Sequence, residues 1–305
     1  FGVERFYGDY TEMLREESLD LVSICTWAQT HAEITVRAAE NGVKGILCEK
    51  PMAVSLGEAD EMVETCDRYG VKLAVRYQRR FHPVHLSVRK LISEGSIGRP
   101  MLAHGRREDG LLNNGSHMIN TVRFWLGDPE PEWVIGQVER KTDRYERGIP
   151  IEDLCMGLVA FKDGAKLLIE SDTPVSSRLE WFQVVLECSD GLVFVTDREA
   201  RVLSSDGWFK LEPVKDEATE FSQLIDWVEG KVDDHRSSGY QARIDIEIMM
   251  AIYESSRTRS LVRMPLETSE NPLFMMIREG KLPVLKPGRY DIRLPKELWG
   301  LLKPP

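Results

Sequence analysis

The sequence predicts an α/β protein in two parts: a parallel sheet built from βαβ units, then an α+β region with a large, mostly antiparallel open sheet. Three observations predict it. In residues 1–80, short apolar runs alternate with helical segments carrying their own start and stop signals, the pattern of right-handed crossovers that cover both faces of a sheet. After Pro83, strand-like runs follow one another with turn sequences such as Lys162-Asp163-Gly164 and Ser189-Asp190-Gly191 between them. The length, 305 residues, is enough for two cores.

Each element has a local reason. Residues 19–26 (LDLVSICT) form a nearly continuous apolar run rich in strand formers. A helix is expected to start at Thr30, with Glu33 completing a T-x-x-E capping box, and to stop at Gly42. Residues 45–48 are a second buried strand. Ser55 and Glu58 form another capping box, opening a helix that ends at Gly70, and residues 71–77 are a third strand. Helices are expected over 84–93 and 114–126. Strands are expected over 101–106, 133–140, 154–161, 165–171, 181–188, 192–196 and 202–204. Helices over 217–229 and 240–258 close this region. The tail beyond Met264, with Pro265, Pro272, Pro283, Pro287 and Pro295, reads as an extended strap. The domain divisions are therefore 1–80, 81–265 and 266–305.

Composition excludes some function classes. At 42% hydrophobic and 30% charged, the chain is ordinary for a globular protein, and no apolar run approaches the length of a membrane span. Residues 1–10 carry no basic-then-apolar export pattern. A net charge of -10 argues against a nucleic-acid partner, which would need phosphates neutralised. The cysteines, Cys25, Cys48, Cys66, Cys155 and Cys188, are odd in number, scattered and without a CxxC pair. They suggest a reducing, cytoplasmic setting and no metal site. The broad sheet should have one face needing cover, so a homo-oligomer through that face is expected.

In an open parallel sheet, ligands bind beyond the carboxyl ends of the strands. After the first strand come Thr26, Trp27, Gln29 and His31; after the second Glu49, Lys50 and Pro51; after the third Gln78, Arg79 and Arg80. Three strand ends thus deliver polar groups to one edge. A carboxylate beside an ammonium in Glu49-Lys50-Pro51 would hold the lysine in place, and partial burial would bring it toward acid–base use. The run Leu111-Leu112-Asn113-Asn114-Gly115-Ser116-His117 would bring an imidazole in from the second region. His82, His85 and His235 read as solvated or capping groups, and His104 could face either side of its strand.

These pieces resemble the Gfo/Idh/MocA oxidoreductase family, which includes glucose–fructose oxidoreductase and inositol dehydrogenase. The matching runs are SICT at 23–26 with His31, AAENG at 38–42, CEKPMAVSLGEADEM at 48–62, YQRRFHP at 77–83, IGRP at 97–100, GSHMIN at 115–120 and AIYESSRT at 251–258. The resemblance implies a Rossmann domain followed by an α+β domain with a large open sheet. It implies NAD or NADP lying along Thr26, Trp27, His31, Glu49, Lys50 and Gln78, a substrate contacted by Arg79, Asn113 and His117, and Lys50 and His117 flanking the carbon that exchanges hydride. The implied activity is NAD(P)-dependent oxidation or reduction of a sugar, inositol or related polyol. An NAD-dependent glycosidase of the same fold and a noncatalytic ligand sensor are the alternatives.

The chain departs from the family pattern at several places. Trp27 stands where proline is usual, and Asn113 and Asn120 stand where aspartates are common, which shifts acid–base work toward Lys50. The segment 100–117 is short, so the pocket should be more open or completed by another subunit. No GxGxxG occurs, and Phe1 falls where the family would be finishing its second helix. The expectation is that the first βαβ portion of the Rossmann fold is missing.

Overall fold

The computed structural model describes residues 2–173 and 182–291. Its first sheet is three-stranded and parallel, in the order β1 (Leu21–Ile24), β2 (Gly45–Cys48), β3 (Lys72–Val75). Helices α1 (Tyr10–Glu16), α2 (Ala28–Glu40) and α3 (Leu56–Tyr69) accompany it. The start of α3 follows its sequence signal with one change. Ser55 Oγ accepts from the Glu58 N–H at 3.3 Å, but the Glu58 carboxylate takes the Val54 N–H at 2.9 Å instead of closing the reciprocal bond to Ser55. Gly70, at φ 70°, ends the helix in the left-handed conformation that glycine adopts without steric cost. The box expected at Thr30 and Glu33 does not form. Helix α2 starts two residues earlier, the Thr30 hydroxyl lies against Thr26 Oγ1 and the Trp27 carbonyl, and Glu33 accepts from the Tyr10 hydroxyl.

Past α4 (Pro83–Ser93), β4 (Pro100–Arg107) leads into a π-helical turn at Gly110–Gly115 and then α5 (Ser116–Leu126). The later strands are β5 (Pro131–Glu139), β6 (Thr142–Glu146), β7 (Ile149–Pro150), β8 (Leu154–Phe161), β9 (Lys166–Ser171), β10 (Gln183–Cys188), β11 (Gly191–Thr196), β12 (Ala200–Ser204) and β13 (Gly207–Lys210). Next come α6 (Glu220–Val228), α7 (Gly239–Thr258), β14 (Val262–Arg263), α8 (Pro272–Arg278) and β15 (Lys286–Asp291). Nine of these strands form one sheet in the order β13-β12-β11-β10-β4-β9-β8-β5-β14. Its pairs are antiparallel except β4 with β9. The expected strand at 181–188 is described from Phe182 onward. Trp181 and residues 292–305 of the expected strap lie outside the described residues.

Strand alternation sets the two faces of this sheet. One cross-strand row, Val134, Val159, Leu167, Ala103, Leu186 and Val193, is fully buried against the helices. The next row, Ile135, Leu158, Leu168, His104, Val185 and Phe194, faces away from them and is only partly covered or exposed. Helix α7 presses so closely on the buried face that the paired Gly136 and Gly157 are required there. A Cβ on Gly136 would come within 2.7 Å of the Ile252 carbonyl oxygen.

The structure corrects three expectations about organisation. Helix α6, assigned to the second domain, returns to cover the parallel sheet, with Leu224 packed on Leu47 and Ala74. The tail is not simply an extended strap. Asn271 caps α8, with Pro272 at its first turn, and Asn271 Nδ2 donates to the Val54 carbonyl at 2.7 Å. The strands β6, β7, β13, β14 and β15 were not expected. Of these, β6 and β7 form a hairpin, with β15 added parallel to β6.

Candidate functional site

The carboxyl ends of β1, β2 and β3 open into a cleft of about 460 Å³ that is closed on its far side by the second region. Cys25 and Thr26 follow β1, Glu49, Lys50 and Pro51 follow β2, and Gln78 and Arg79 follow β3. Asp109, Asn113 and Asn114 of the π-helical turn, and His117 on α5, line the opposite wall. Lys50 and His117, distant in sequence, therefore face one shared space.

The lysine's ammonium is bonded by the second region. Lys50 Nζ donates to Asn113 Oδ1 at 2.9 Å and to the Asn113 carbonyl at 3.1 Å. The Glu49 carboxylate pairs with Arg76 at 2.8 Å and accepts the Lys50 backbone N–H at 3.3 Å, so it bonds the lysine's main chain while Asn113 takes its ammonium. Asn113 is itself fixed, its Nδ2 donating to the Asp109 carbonyl at 3.2 Å. The turn carrying Asn113 is clamped at its start by Asp172, whose carboxylate accepts the N–H groups of Asp109 and Gly110 at 3.1 and 2.9 Å. Glu152, fully buried, accepts the Leu111 N–H at 2.5 Å and the Tyr253 hydroxyl at 2.8 Å.

His117 is buried, its ring edge-on to Tyr77 with centroids 5.8 Å apart. Burial first, and then the positive charges of Lys50, Arg79 and Arg107, hold its imidazole well below the ordinary histidine range. It is neutral at pH 7, and its Nδ1 is buried with no hydrogen-bond partner among the described residues. Arg79 is also buried. Its Nε and one terminal nitrogen grip Asp197 at 2.8 and 3.0 Å, its guanidinium lies 4.5 Å from the Phe182 ring centroid, and the other terminal nitrogen has no partner.

Two residues expected along the cofactor are not among those lining the cleft. Trp27 is 56% exposed at the N-cap of α2. His31 is buried beneath the Lys50-Pro51 turn, with ring nitrogens 2.9 Å from the Pro51 carbonyl and 3.1 Å from the Thr26 carbonyl. It joins two strand ends and so braces the cleft floor. Burial keeps its imidazole below the usual range, so it donates to one carbonyl at a time. Two of the histidines expected to be solvated or capping are buried: His85 between Trp125 and Phe182, and His235 bridging the Glu220 carbonyl and the Ser237 N–H. His104 faces the open side of the sheet, 2.6 Å from Glu170. Asn120 points away from His117 into an interior ion-pair network, bonding Arg80 and Asp245.

The sequence reading missed one wall. The β6–β7 hairpin brings Glu146, Arg147 and Ile149 to the cleft, and Gln29 Nε2 donates to the Arg147 carbonyl at 2.8 Å. Its two-residue turn, Arg147 at φ 49° and Gly148 at φ 81°, has the paired positive angles of a tight hairpin. The Arg-Gly pair was the available signal, weaker than Asn-Gly. This hairpin supplies cover where the short 100–117 segment suggested an open pocket.

A parallel sheet with polar groups at its carboxyl edge, facing a lysine–histidine cleft walled by the π-helical turn and the β6–β7 hairpin, is the layout of an α/β dinucleotide-binding fold. Residues 1–77 match the model of the oxidoreductase family with an NAD-binding Rossmann fold, Gfo/Idh/MocA. The chain belongs to that family. It is similar to D-apiose dehydrogenase of Paraburkholderia graminis, 30% identical over 63% of this chain and 54% of that protein. It is also similar to the NADP-dependent D-xylose 1-dehydrogenase of Haloarcula marismortui, 26% identical over 85% of this chain and 78% of that one. Among solved structures, aldose–aldose oxidoreductase of Caulobacter crescentus superposes with a TM-score of 0.70 at 21% identity, over 84% of this chain and 82% of that chain, and shows the shared fold. The chain spans a little over half the length of the D-apiose dehydrogenases it matches.

Proposed function

We propose that this chain carries the catalytic cleft of an NAD(P)-dependent dehydrogenase or reductase for a sugar or polyol. One observation carries the reading: Lys50 and His117, from different parts of the fold, line the same cleft at the carboxyl edge of a parallel sheet. The cleft suits a nicotinamide cofactor because it has polar groups at three strand ends and a buried imidazole nitrogen without a protein partner. Thr26, Glu49, Lys50 and Gln78 would hold it. When bound, NAD or NADP exchanges hydride with a substrate carbon.

The chain's own residues supply placement and the proton path. Asn113 fixes Lys50 Nζ at one point, so its proton can pass to or from a substrate oxygen without a search over rotamers. Neutral His117 orients that oxygen through one ring nitrogen. The face of the large sheet bearing Ile135, Met156 and Leu168 would be covered by a second copy of the chain. Five free cysteines fit a reducing, cytoplasmic setting, and no helix among the described residues is long and apolar enough to cross a membrane.

The test is to titrate the chain with NAD⁺ and NADP⁺, then to follow nicotinamide reduction with D-xylose, D-apiose and myo-inositol. Substrate-dependent reduction is expected. Glycoside cleavage without net reduction would replace this reading with a glycosidase, and ligand binding without turnover would replace it with a sensor.

A further inference from the structure

The cleft holds a feature that a neutral sugar does not need. Arg79 is 7% exposed and lines the cleft beside His117 and Lys50. Asp197 takes its Nε–H and one terminal N–H in a bidentate grip, and the Phe182 ring lies flat-side support 4.5 Å away. That arrangement fixes the guanidinium plane. The remaining terminal nitrogen, with two N–H donors, is buried and has no partner among the described residues. Leaving a charged donor buried and unmet is costly unless a ligand meets it.

Of the charged groups that act most strongly on the neighbouring His117, Lys50, Arg79 and Arg107 are cationic and Asp197 is a carboxylate. Arg107 is buried outside the cleft lining, where burial together with Arg79 brings its pKa down to about 10 against the carboxylates of Asp197, Asp109 and Glu108; the cleft itself is lined by both signs, Lys50, Arg79 and Arg147 with Glu49, Asp109 and Glu146.

We propose that the substrate is a sugar or polyol bearing a carboxylate, and that Arg79 is its specificity-determining residue, receiving the carboxylate on its unmet terminal nitrogen. This rests on the dehydrogenase reading for its placement of the reacting carbon near Lys50 and His117. A carboxylate suits the position because charge-assisted hydrogen bonds are about twice as strong as neutral ones, and a guanidinium pinned in advance loses little entropy on binding.

The experiment is calorimetric binding of D-glucuronate, D-glucose and D-glucose 6-phosphate to the full chain, without cofactor and with NAD⁺. D-Glucuronate is expected to bind at least about tenfold tighter than D-glucose, with the advantage shrinking several-fold as salt rises toward about 0.5 M. Arg79→Met should abolish that advantage, and Arg79→Lys should retain part of it. Should Arg79→Met fail to fold, the salt dependence and Arg79→Lys decide the matter. Equal binding of D-glucose and D-glucuronate overturns the proposal, as does preference for the phosphate ester. Nicotinamide reduction, measured in parallel, reports on the dehydrogenase reading separately: reduction with neutral sugars preferred sinks the carboxylate subsite and leaves that reading standing. Tight D-glucuronate binding without any reduction does the reverse.

Discussion

Arg79 and Arg80 are neighbours in the chain, both buried, yet their surroundings differ in kind. All three nitrogens of Arg80 are used: Nε bonds Asn120 Oδ1 at 2.9 Å, and the terminal nitrogens reach Asp128, the Asn120 carbonyl and the Arg236 carbonyl. Arg123 completes the same interior network, with Asp245 at 2.8 Å and Gln241 and Pro129 taking its other donors. Arg80 and Arg123, with Arg89 reaching Asp128 from the surface at 3.3 Å, share the carboxylates of Asp128 and Asp245, and Asn120 bridges them without adding charge. Arg79, by contrast, keeps one nitrogen unmet beside a cleft where His117 also has an unmet nitrogen. A closed polar cluster specifies packing, whereas an open one aimed into a cavity is prepared for a ligand. His117 and Asn120 make the same contrast within one turn of α5.

The comparison breaks first at the interior network. Asp245→Ala strands Arg123, which is fully buried, and should cost about 3–5 kcal/mol of stability in urea unfolding. A loss under about 1 kcal/mol would mean that the network is not the packing element described. Lys50→Ala should do the opposite. Its turnover should fall by about 100-fold or more, with the unfolding midpoint nearly unchanged. Near-normal turnover would remove Lys50 from the proton path.

Acid separates the two regions next. Burial holds His85 down at about 4, against an ordinary value of 6.5. Between those values the folded protein binds fewer protons than the unfolded chain. Stability therefore falls as pH drops from 6.5 toward 4, at about 1.4 kcal/mol per unit for this group, or about 3 kcal/mol in all. The groups facing His85 are Asp197, Arg79 and His82. Asp197 is held well below the usual carboxylate range, so its contribution is lost at more acid pH than this window. Chemical denaturation of His85→Phe across that window should be flatter than wild type by this amount. A smaller loss is expected from Asn120→Asp. The new carboxylate would sit where Asn120 Nδ2 now donates to Asp245 Oδ2 at 2.6 Å. It should cost about 1–3 kcal/mol near neutral pH. The penalty should ease as pH falls, because burial already raises Asp245 and protonating one carboxyl restores a donor.

Much of this contrast was legible in the sequence, and the part that was not has a common cause. Periodicity gave β2 and β8 with their observed bounds and put α3 between its caps, because those signals are local. Strand ends gave Thr26, Glu49, Lys50, Gln78 and Arg79 as cleft residues, because chain direction in a parallel sheet decides where they emerge. The β6–β7 hairpin escaped because TDRYE has little apolar alternation and its turn lacks an asparagine. His85 and His235 were read as solvated or capping, and His31 as lying along the cofactor, because histidine's polarity says nothing of burial. Each is covered or bonded by groups that arrive from elsewhere in the fold, such as the Pro51 carbonyl on His31 and Phe182 against His85. Asn113 was placed with the substrate, whereas its oxygens hold Lys50, a contact between residues 63 positions apart.

The smallest expected effect tests the edge of the open region. Cys25 is exposed and lines the cleft, whereas Cys48, Cys66, Cys155 and Cys188 are buried. Burial pushes Cys66 up to about 12 and Cys188 up to about 11, and holds Cys48 and Cys155 well above the ordinary thiol value, so these four thiols lack both access and thiolate character. Brief treatment with iodoacetamide should therefore add one adduct to the native chain, at Cys25, with little change in melting temperature. Because Cys25 shares its cleft with Thr26 and Glu49, NAD⁺ should slow this labelling several-fold, and the adduct should weaken NAD⁺ binding. Peptide mass spectrometry with and without NAD⁺ reads the first effect, and calorimetry of the labelled chain reads the second. Labelling unaffected by saturating nucleotide would place the cofactor away from the β1 end of the cleft, and the boundary drawn here between open and closed polar regions would have to move.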